Sequence, residues 1–158
     1  MEQVLKQATL LAMNLHEGQV DKAGKPYILH PIRVASSLPD IECRILAVLH
    51  DVLEDCEITP EELIEAGIPR HLVDRLLLLT KRKEERYFDY IDRVKQDELT
   101  RQVKLADLKD NMDLTRLYPQ IDTSRLTDND YLEETLSEKD LTRYRKYQKA
   151  VDLLSNKE

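Results

Sequence analysis

The sequence predicts an all-α fold, a single compact multi-helix domain spanning residues 1–158, and three observations carry that prediction. Glycine is scarce, with 3 among 158 residues, and there is one phenylalanine and no tryptophan beside abundant Leu, Glu, Lys and Asp, a composition that favours helix over sheet. Apolar residues fall at helical spacing in segment after segment. Helix punctuation separates those segments: Thr59-Pro60-Glu61-Glu62 reads as a capped start with proline at the first position, and Ala66-Gly67-Ile68-Pro69 as a stop followed by a new start. The length suits one domain with a proper core, and no internal repeat, low-complexity tract or linker interrupts it.

Taken in order, the pattern predicts helices over about 2–16, 31–38, 42–56, 60–66, 69–81, 86–97, 99–117 and 138–154. The first is amphipathic from Met1 onward, with His16 closing it. His30-Pro31 opens the second, since proline suits a first helical turn. In Tyr87-Phe88-Asp89-Tyr90-Ile91-Asp92-Arg93-Val94 the aromatic and aliphatic spacing predicts core packing. Ser137-Glu138-Lys139-Asp140 resembles a capping box, and Leu141, Tyr144, Ala150, Val151 and Leu154 then give the closing helix its apolar stripe. The polar stretch from Tyr118 to Asp130 predicts a mobile loop near the rim of a site.

Charge and targeting signals narrow the function. A net charge of −7 argues against a nucleic-acid polymer as partner. The N-terminus lacks the apolar run of a signal peptide, and no segment approaches the roughly 20 apolar residues of a membrane span, so a cytoplasmic protein with no membrane partner is expected. Cys43 and Cys56 are too few for a disulfide framework and read as small buried or half-buried residues; His71 reads as surface. A small anionic substrate would need local cations, and Lys22, Lys25, Lys81, Arg82 and Lys104 are available, with Lys81 and Arg82 better explained as solvated charge.

The chemistry concentrates in His50-Asp51-Val52-Leu53-Glu54-Asp55. On a continuous helix, at about 100° per residue, Asp51, Glu54 and Asp55 lie near 100°, 40° and 140° from His50, while Ile45, Leu49, Val52 and Leu53 form the opposite apolar face. One imidazole and three carboxylates on one face repel one another unless a cation neutralises them. A second segment, His16 to Pro31, holds two of the three glycines and ends on His30. A third, Val103-Lys104-Leu105-Ala106-Asp107-Leu108-Lys109-Asp110-Asn111, sets Asp107 among apolar neighbours, where a carboxylate is rarely left unpaired. His30, His50, Asp51 and Asp107 make a mixed imidazole and carboxylate set suited to a divalent first-row metal.

These residues resemble a known family. The order G-Q-x-x-K-x-G-x-P-Y-x-x-H-P, H-D-x-x-E-D, K-L-A-D-x-x-x-N is similar to that of the HD-domain metal-dependent phosphohydrolases, and most similar to the hydrolase domain of the RelA/SpoT-type enzymes, which remove the 3′-pyrophosphate of ppGpp. The likeness runs from about His16 to about Leu117. It implies metal ligands at His30, His50, Asp51 and Asp107, with Mn²⁺ the usual ion and other divalent first-row metals acceptable. It implies that Glu54 and Asp55 handle water and protons, without deciding which is the base. It implies substrate contacts from Asn111 to the sugar and from Lys22 to the nucleotide or its phosphates, with Tyr27 and Lys104 completing the substrate side.

The chain departs from the pattern in two places. Asp21 stands where the close ppGpp hydrolases carry an arginine that stacks on guanine, and Leu114 where many relatives place a polar residue. The expected function is therefore a metal-dependent phosphohydrolase acting on (p)ppGpp or a related nucleotide through a metal-activated water. The residues leave two alternatives open: a hydrolase of a different phosphorylated nucleotide, and a non-catalytic metal- or nucleotide-binding regulatory module. With no synthetase-like segment following, an alarmone role is expected to be breakdown.

Overall fold

The architecture is built around one helix that is buried almost all the way round, α3 (Ile41–Leu49), in which Cys43, Ile45, Leu46, Ala47 and Leu49 are fully sequestered. The computed structural model describes residues 1–156. Asp40 starts α3 by accepting the Cys43 N–H at 3.0 Å, which satisfies one of the donors a helix N-terminus leaves open. Around α3 pack α1 (Glu2–Leu15), α2 (Leu29–Ser36), α6 (Arg70–Leu79) and α8 (Glu98–Asn111). A helix with so little polar surface must sit inside such a ring.

The remaining α-helices are α4 (Val52–Asp55), α5 (Pro60–Glu65), α7 (Tyr87–Lys95), α9 (Asn129–Thr135) and α10 (Glu138–Ser155). Thr59 and Glu62 form the reciprocal capping box that starts α5. The second hub is α8, which touches α2, α3, α6, α7 and α10. Its start is fixed by the Asp97 carboxylate accepting the Thr100 N–H at 3.0 Å, and the buried Thr100 hydroxyl donates to the Val94 carbonyl at 2.7 Å. Among the described residues there is no strand, only an isolated bridge between Val20 and Pro26.

Two expectations need correction. Residues 42–56 are not one helix: α3 ends at Leu49, His50 and Asp51 form a turn, and α4 restarts at Val52. The His50 ring donates to the Ala47 carbonyl at 2.6 Å, and the Glu54 and Asp55 N–H groups both return to Asp51 O, so the broken ladder is locally re-satisfied. The second correction concerns 118–130, expected as a mobile loop. It is fastened by a separate apolar cluster of Leu114, Ile121, Leu132, Leu136, Leu141 and Tyr144, and it leads into the unforeseen α9. Short 3₁₀ turns at Leu114–Arg116 and Thr123–Arg125, each capped by an aspartate, carry the chain between.

Candidate metal centre and active site

Three elements converge on the site: the first turn of α2 supplies His30, the turn between α3 and α4 supplies His50 and Asp51, and the last turn of α8 supplies Asp107, Asp110 and Asn111. His30, His50 and Asp107 are all buried, and one ligand atom from each lies within 4.8 Å of the others. Asp107 Oδ1 is the meeting point, 2.9 Å from His30 Nε2, 3.3 Å from His50 Nε2 and accepting from Asn111 Nδ2 at 3.0 Å. Asp51 adjoins through His50, with Oδ2 3.0 Å from His50 Nε2, and accepts the Tyr27 hydroxyl.

The tautomers favour a cation. His50 Nδ1 donates to Ala47 O, and His30 Nδ1 donates to Asp110 Oδ2 at 2.6 Å, so Nε2 of each ring faces Asp107 and is the nitrogen left to ligate an ion. His50 Nε2 is buried, faces the Asp51 and Asp107 carboxylates at 3.0 and 3.3 Å, and makes no well-aligned hydrogen bond among the described residues. A buried imidazole nitrogen left open beside carboxylates is the arrangement a divalent ion satisfies, and an N₂O donor set extended by Asp51 suits a first-row metal.

Electrostatics without an ion show the same tension. Burial would raise the Asp107 carboxyl, but Lys104, His50 and His30 outweigh it and hold it well below the usual range. Burial would lower His50, but Asp51 and Asp107 push it well above its ordinary value. Asp51 is held at about 2, its burial being outweighed chiefly by His50. The imidazoles thus serve as the missing cations. Lys104, expected among the substrate contacts, lines the cavity on this side and places its Nζ 2.7 Å from Asp107 Oδ2, where it orients the carboxylate.

The site opens into two cavities. One, about 260 Å³, is lined by His50, Asp51, Glu54, Asp55, Lys81 and Lys104 among others. Glu54 accepts the Lys81 N–H at 3.0 Å, which ties the acidic pair to the segment after α6. Asp55 is raised by burial and by Asp51 and Glu54. The other cavity, about 360 Å³, takes in Lys22, His30, Arg33, Arg116 and Arg143. Tyr27, Asn111 and Tyr147 line both and form the saddle between them.

Lys22 is carried on a loop that needs Gly18 (φ 82) and Gly24 (φ 78) in the left-handed region, where a side chain is strained. Asp21 turns back into that loop, one oxygen accepting the Ala23 and Lys25 N–H groups at 2.9 Å each, so its carboxylate is spent on the backbone. Sequence reasoning missed Asp110, which accepts His30 and is gripped by Arg33 through Nε at 2.9 Å and Nη2 at 3.1 Å. The available signal was helical spacing, Asp107 to Asp110 and His30 to Arg33 each being three residues apart. It also missed Arg143 and Tyr147 of α10, beyond the segment of likeness. His16 does close α1, Cys43 is buried and Cys56 half-buried, and His71 is exposed against Glu42.

No protein-family model matches the chain. The guanosine-3′,5′-bis(diphosphate) 3′-pyrophosphohydrolase of Vibrio cholerae is 37% identical over 124 residues, covering 70% of this chain and 18% of that protein. The bifunctional (p)ppGpp synthase/hydrolase SpoT of Escherichia coli is 36% identical over 125 residues, 68% of this chain and 17% of that protein. The chain is a relative of the RelA/SpoT-type proteins. A Myxococcus xanthus GTP pyrophosphokinase matches as well, 32% identical over 69% of this chain and 17% of its own length, so the chain spans under a fifth of the curated relatives it matches. A solved metazoan SpoT orthologue, described as hydrolysing ppGpp, superposes with a TM-score of 0.70 over 96% of this chain and 85% of that one, at 21% identity. The all-α HD-domain fold is thereby shared.

Proposed function

We propose that the chain is a divalent-metal-dependent phosphohydrolase that removes the 3′-pyrophosphate of (p)ppGpp or a closely related nucleotide, with Mn²⁺ as its ion and the cytoplasm as its place of action. The observation that carries this reading is the convergence of His30 Nε2, His50 Nε2 and Asp107 Oδ1, with His50 and Asp107 in the wall of a cavity that also holds Glu54 and Asp55. The names of the relatives supply the substrate. His30, His50, Asp107 and Asp51 would hold the ion. When bound there, a divalent ion lowers the pKa of water and polarises a phosphoryl oxygen.

The chain's own groups divide the remaining work. Glu54, anchored by the Lys81 N–H, and Asp55, whose carboxylate accepts no hydrogen bond among the described residues, are placed to take the proton from an attacking water and return it to the leaving group. Tyr27 fixes Asp51 by hydrogen bonding, and Asn111, beside Asp107 on the saddle, faces the sugar. Lys22 meets the nucleotide in the second cavity. Such a substrate is a small polyanion; no helix among the described residues is long and apolar enough to cross a membrane.

The test is pyrophosphate release from ppGpp by the purified protein with Mn²⁺, beside Asp51→Ala and a panel of ordinary nucleotides. Release that needs both metal and Asp51 is the expected result. Turnover of another nucleotide with silence on ppGpp would move the substrate, and a bound metal with no turnover of anything would overturn the hydrolase reading in favour of a regulatory module.

A further inference from the structure

Of the buried histidines among the described residues, His16 alone has no part in the proposed chemistry. It is 2% exposed, and its Nε2 is sealed from solvent with no hydrogen-bond partner. Closing α1 does not call for an imidazole: the His16 N–H does that work by donating to Ala12 O at 3.0 Å, from an unstrained backbone with φ −90. An apolar residue of similar size would avoid the cost of burying the ring. The ring's one short bond is lateral, Nδ1 lying 2.8 Å from Gln19 Oε1. An amide oxygen needs a donor, so Nδ1 carries the proton, and the Gln19 amide is thereby held with its nitrogen turned away from the ring. That nitrogen faces the end of α4, 3.4 Å from the Asp55 carbonyl and 3.7 Å from Cys56 Sγ, while the Cys56 thiol donates to Leu15 O at 3.5 Å.

Asp55 needs such a strut. Glu54 is held by the Lys81 N–H, whereas the Asp55 carboxylate accepts no hydrogen bond among the described residues, so its place is set by its backbone. That backbone belongs to a helix of four residues, far below the length at which an isolated helix is stable in water. The Asp55 N–H returns to Asp51 O at 2.9 Å within the turn, and the Asp55 carbonyl takes the Gln19 amide. Gln19 is itself tethered at both main-chain groups, its N–H donating to His16 O at 3.0 Å and its carbonyl accepting the Tyr27 N–H at 2.9 Å. The end of α1 is thus joined to the end of α4 through one fixed side chain. Resting on the phosphohydrolase reading, we infer that His16 is a positioning residue for the proposed reaction: by setting the Gln19 amide it fixes the end of α4 and so places the Asp55 carboxylate against the attacking water. A misplacement of about 1 Å at such a group costs on the order of 100-fold in rate.

The experiment measures turnover of ppGpp, or of whichever nucleotide the wild type cleaves, together with Mn²⁺ affinity by calorimetry, for wild type, His16→Leu, His16→Asn and Gln19→Met. Leucine fills the space and removes the donor, whereas asparagine can set its Nδ2 where Nδ1 stood. His16→Leu should lower kcat about 10–100-fold with KM and Mn²⁺ affinity unchanged, and His16→Asn should recover most of the rate. Gln19→Met keeps the imidazole and should match His16→Leu; it carries the test should His16→Leu fail to fold. A native kcat in either folded variant, or a loss that His16→Asn does not recover, overturns the proposal. So does a loss carried by KM or by metal affinity, which would place His16 in support of the Lys22 loop or of Tyr27, whose ring lies 5.0 Å from its own. Should wild type cleave nothing, the hydrolase reading falls separately, and the strut is read by hydrogen exchange. Asp55 and Cys56 amides that are protected in wild type and His16→Asn but fast in His16→Leu keep it, and equal exchange in all three overturns it.

Discussion

Asp110 shows how much of the candidate site is set by a residue outside the proposed ligand set. Its Oδ2 accepts His30 Nδ1 at 2.6 Å, which fixes the tautomer that turns Nε2 toward Asp107. Arg33 and Arg116 in turn hold the Asp110 carboxylate, and with His30 they outweigh its burial and keep it ionised, at about 2. A carboxylate behind a metal-ligating histidine raises ligand basicity and fixes ring orientation, and removing one costs about 10–100-fold in metal affinity. Asp110→Asn should therefore weaken Mn²⁺ binding by that order while the helical content stays native. Metal titration followed by calorimetry and circular dichroism checks both halves; unchanged affinity in a folded variant would mean that His30 needs no such support.

At the scale of elements, the sequence was most legible where local chemistry and packing agree. The Thr59 capping box, the apolar α3 and the placement of Asp107 in an apolar stretch of α8 all follow from spacing alone. The break at His50-Asp51 did not, because helical periodicity continues across it and only the tertiary demand to turn His50 inward and leave Glu54 and Asp55 exposed interrupts the ladder. The α9 helix was illegible because its burial depends on Ile121 and Leu114, contributed by irregular chain. The connector between α6 and α7 carries Lys81, and it is held by Arg93, which donates to the Leu78 and Thr80 carbonyls at 2.9 and 3.0 Å and grips Glu85 with two further bonds. Those bonds to Arg93 lower the Glu85 carboxyl from 4.5 to about 2. A depressed folded-state pKa contributes stability above the unfolded value that is lost as pH falls through the folded one. Glu85→Gln should accordingly be destabilising at pH 7, with the penalty fading between about pH 4.5 and about pH 2. Urea unfolding of both proteins across that range tests it, and a penalty constant with pH would place the effect outside the Glu85–Arg93 pair.

At the scale of the whole molecule, the proposed metal centre is a junction rather than an attachment. Its candidate ligands come from α2, from the turn after α3 and from the end of α8, elements that also make the main core contacts. In the unfolded chain these groups are far apart in sequence, from His30 to Asp107, so an ion that needs all of them binds the native state. Stabilisation then follows mass action, about 2.7 kcal/mol at a free metal concentration one hundred times Kd. For a domain of this size that corresponds to a rise in Tm of roughly 5–10 °C. The metal-free protein holds two buried imidazoles against three carboxylates of the same cluster, an arrangement the ion relieves, so the rise should be reversed by a chelator. Asp107→Asn should abolish it by removing the negative charge on which both histidines converge. Thermal unfolding with Mn²⁺, with chelator and in the variant measures the coupling directly, and an equal rise in wild type and Asp107→Asn would mean that the ion binds elsewhere on this acidic surface.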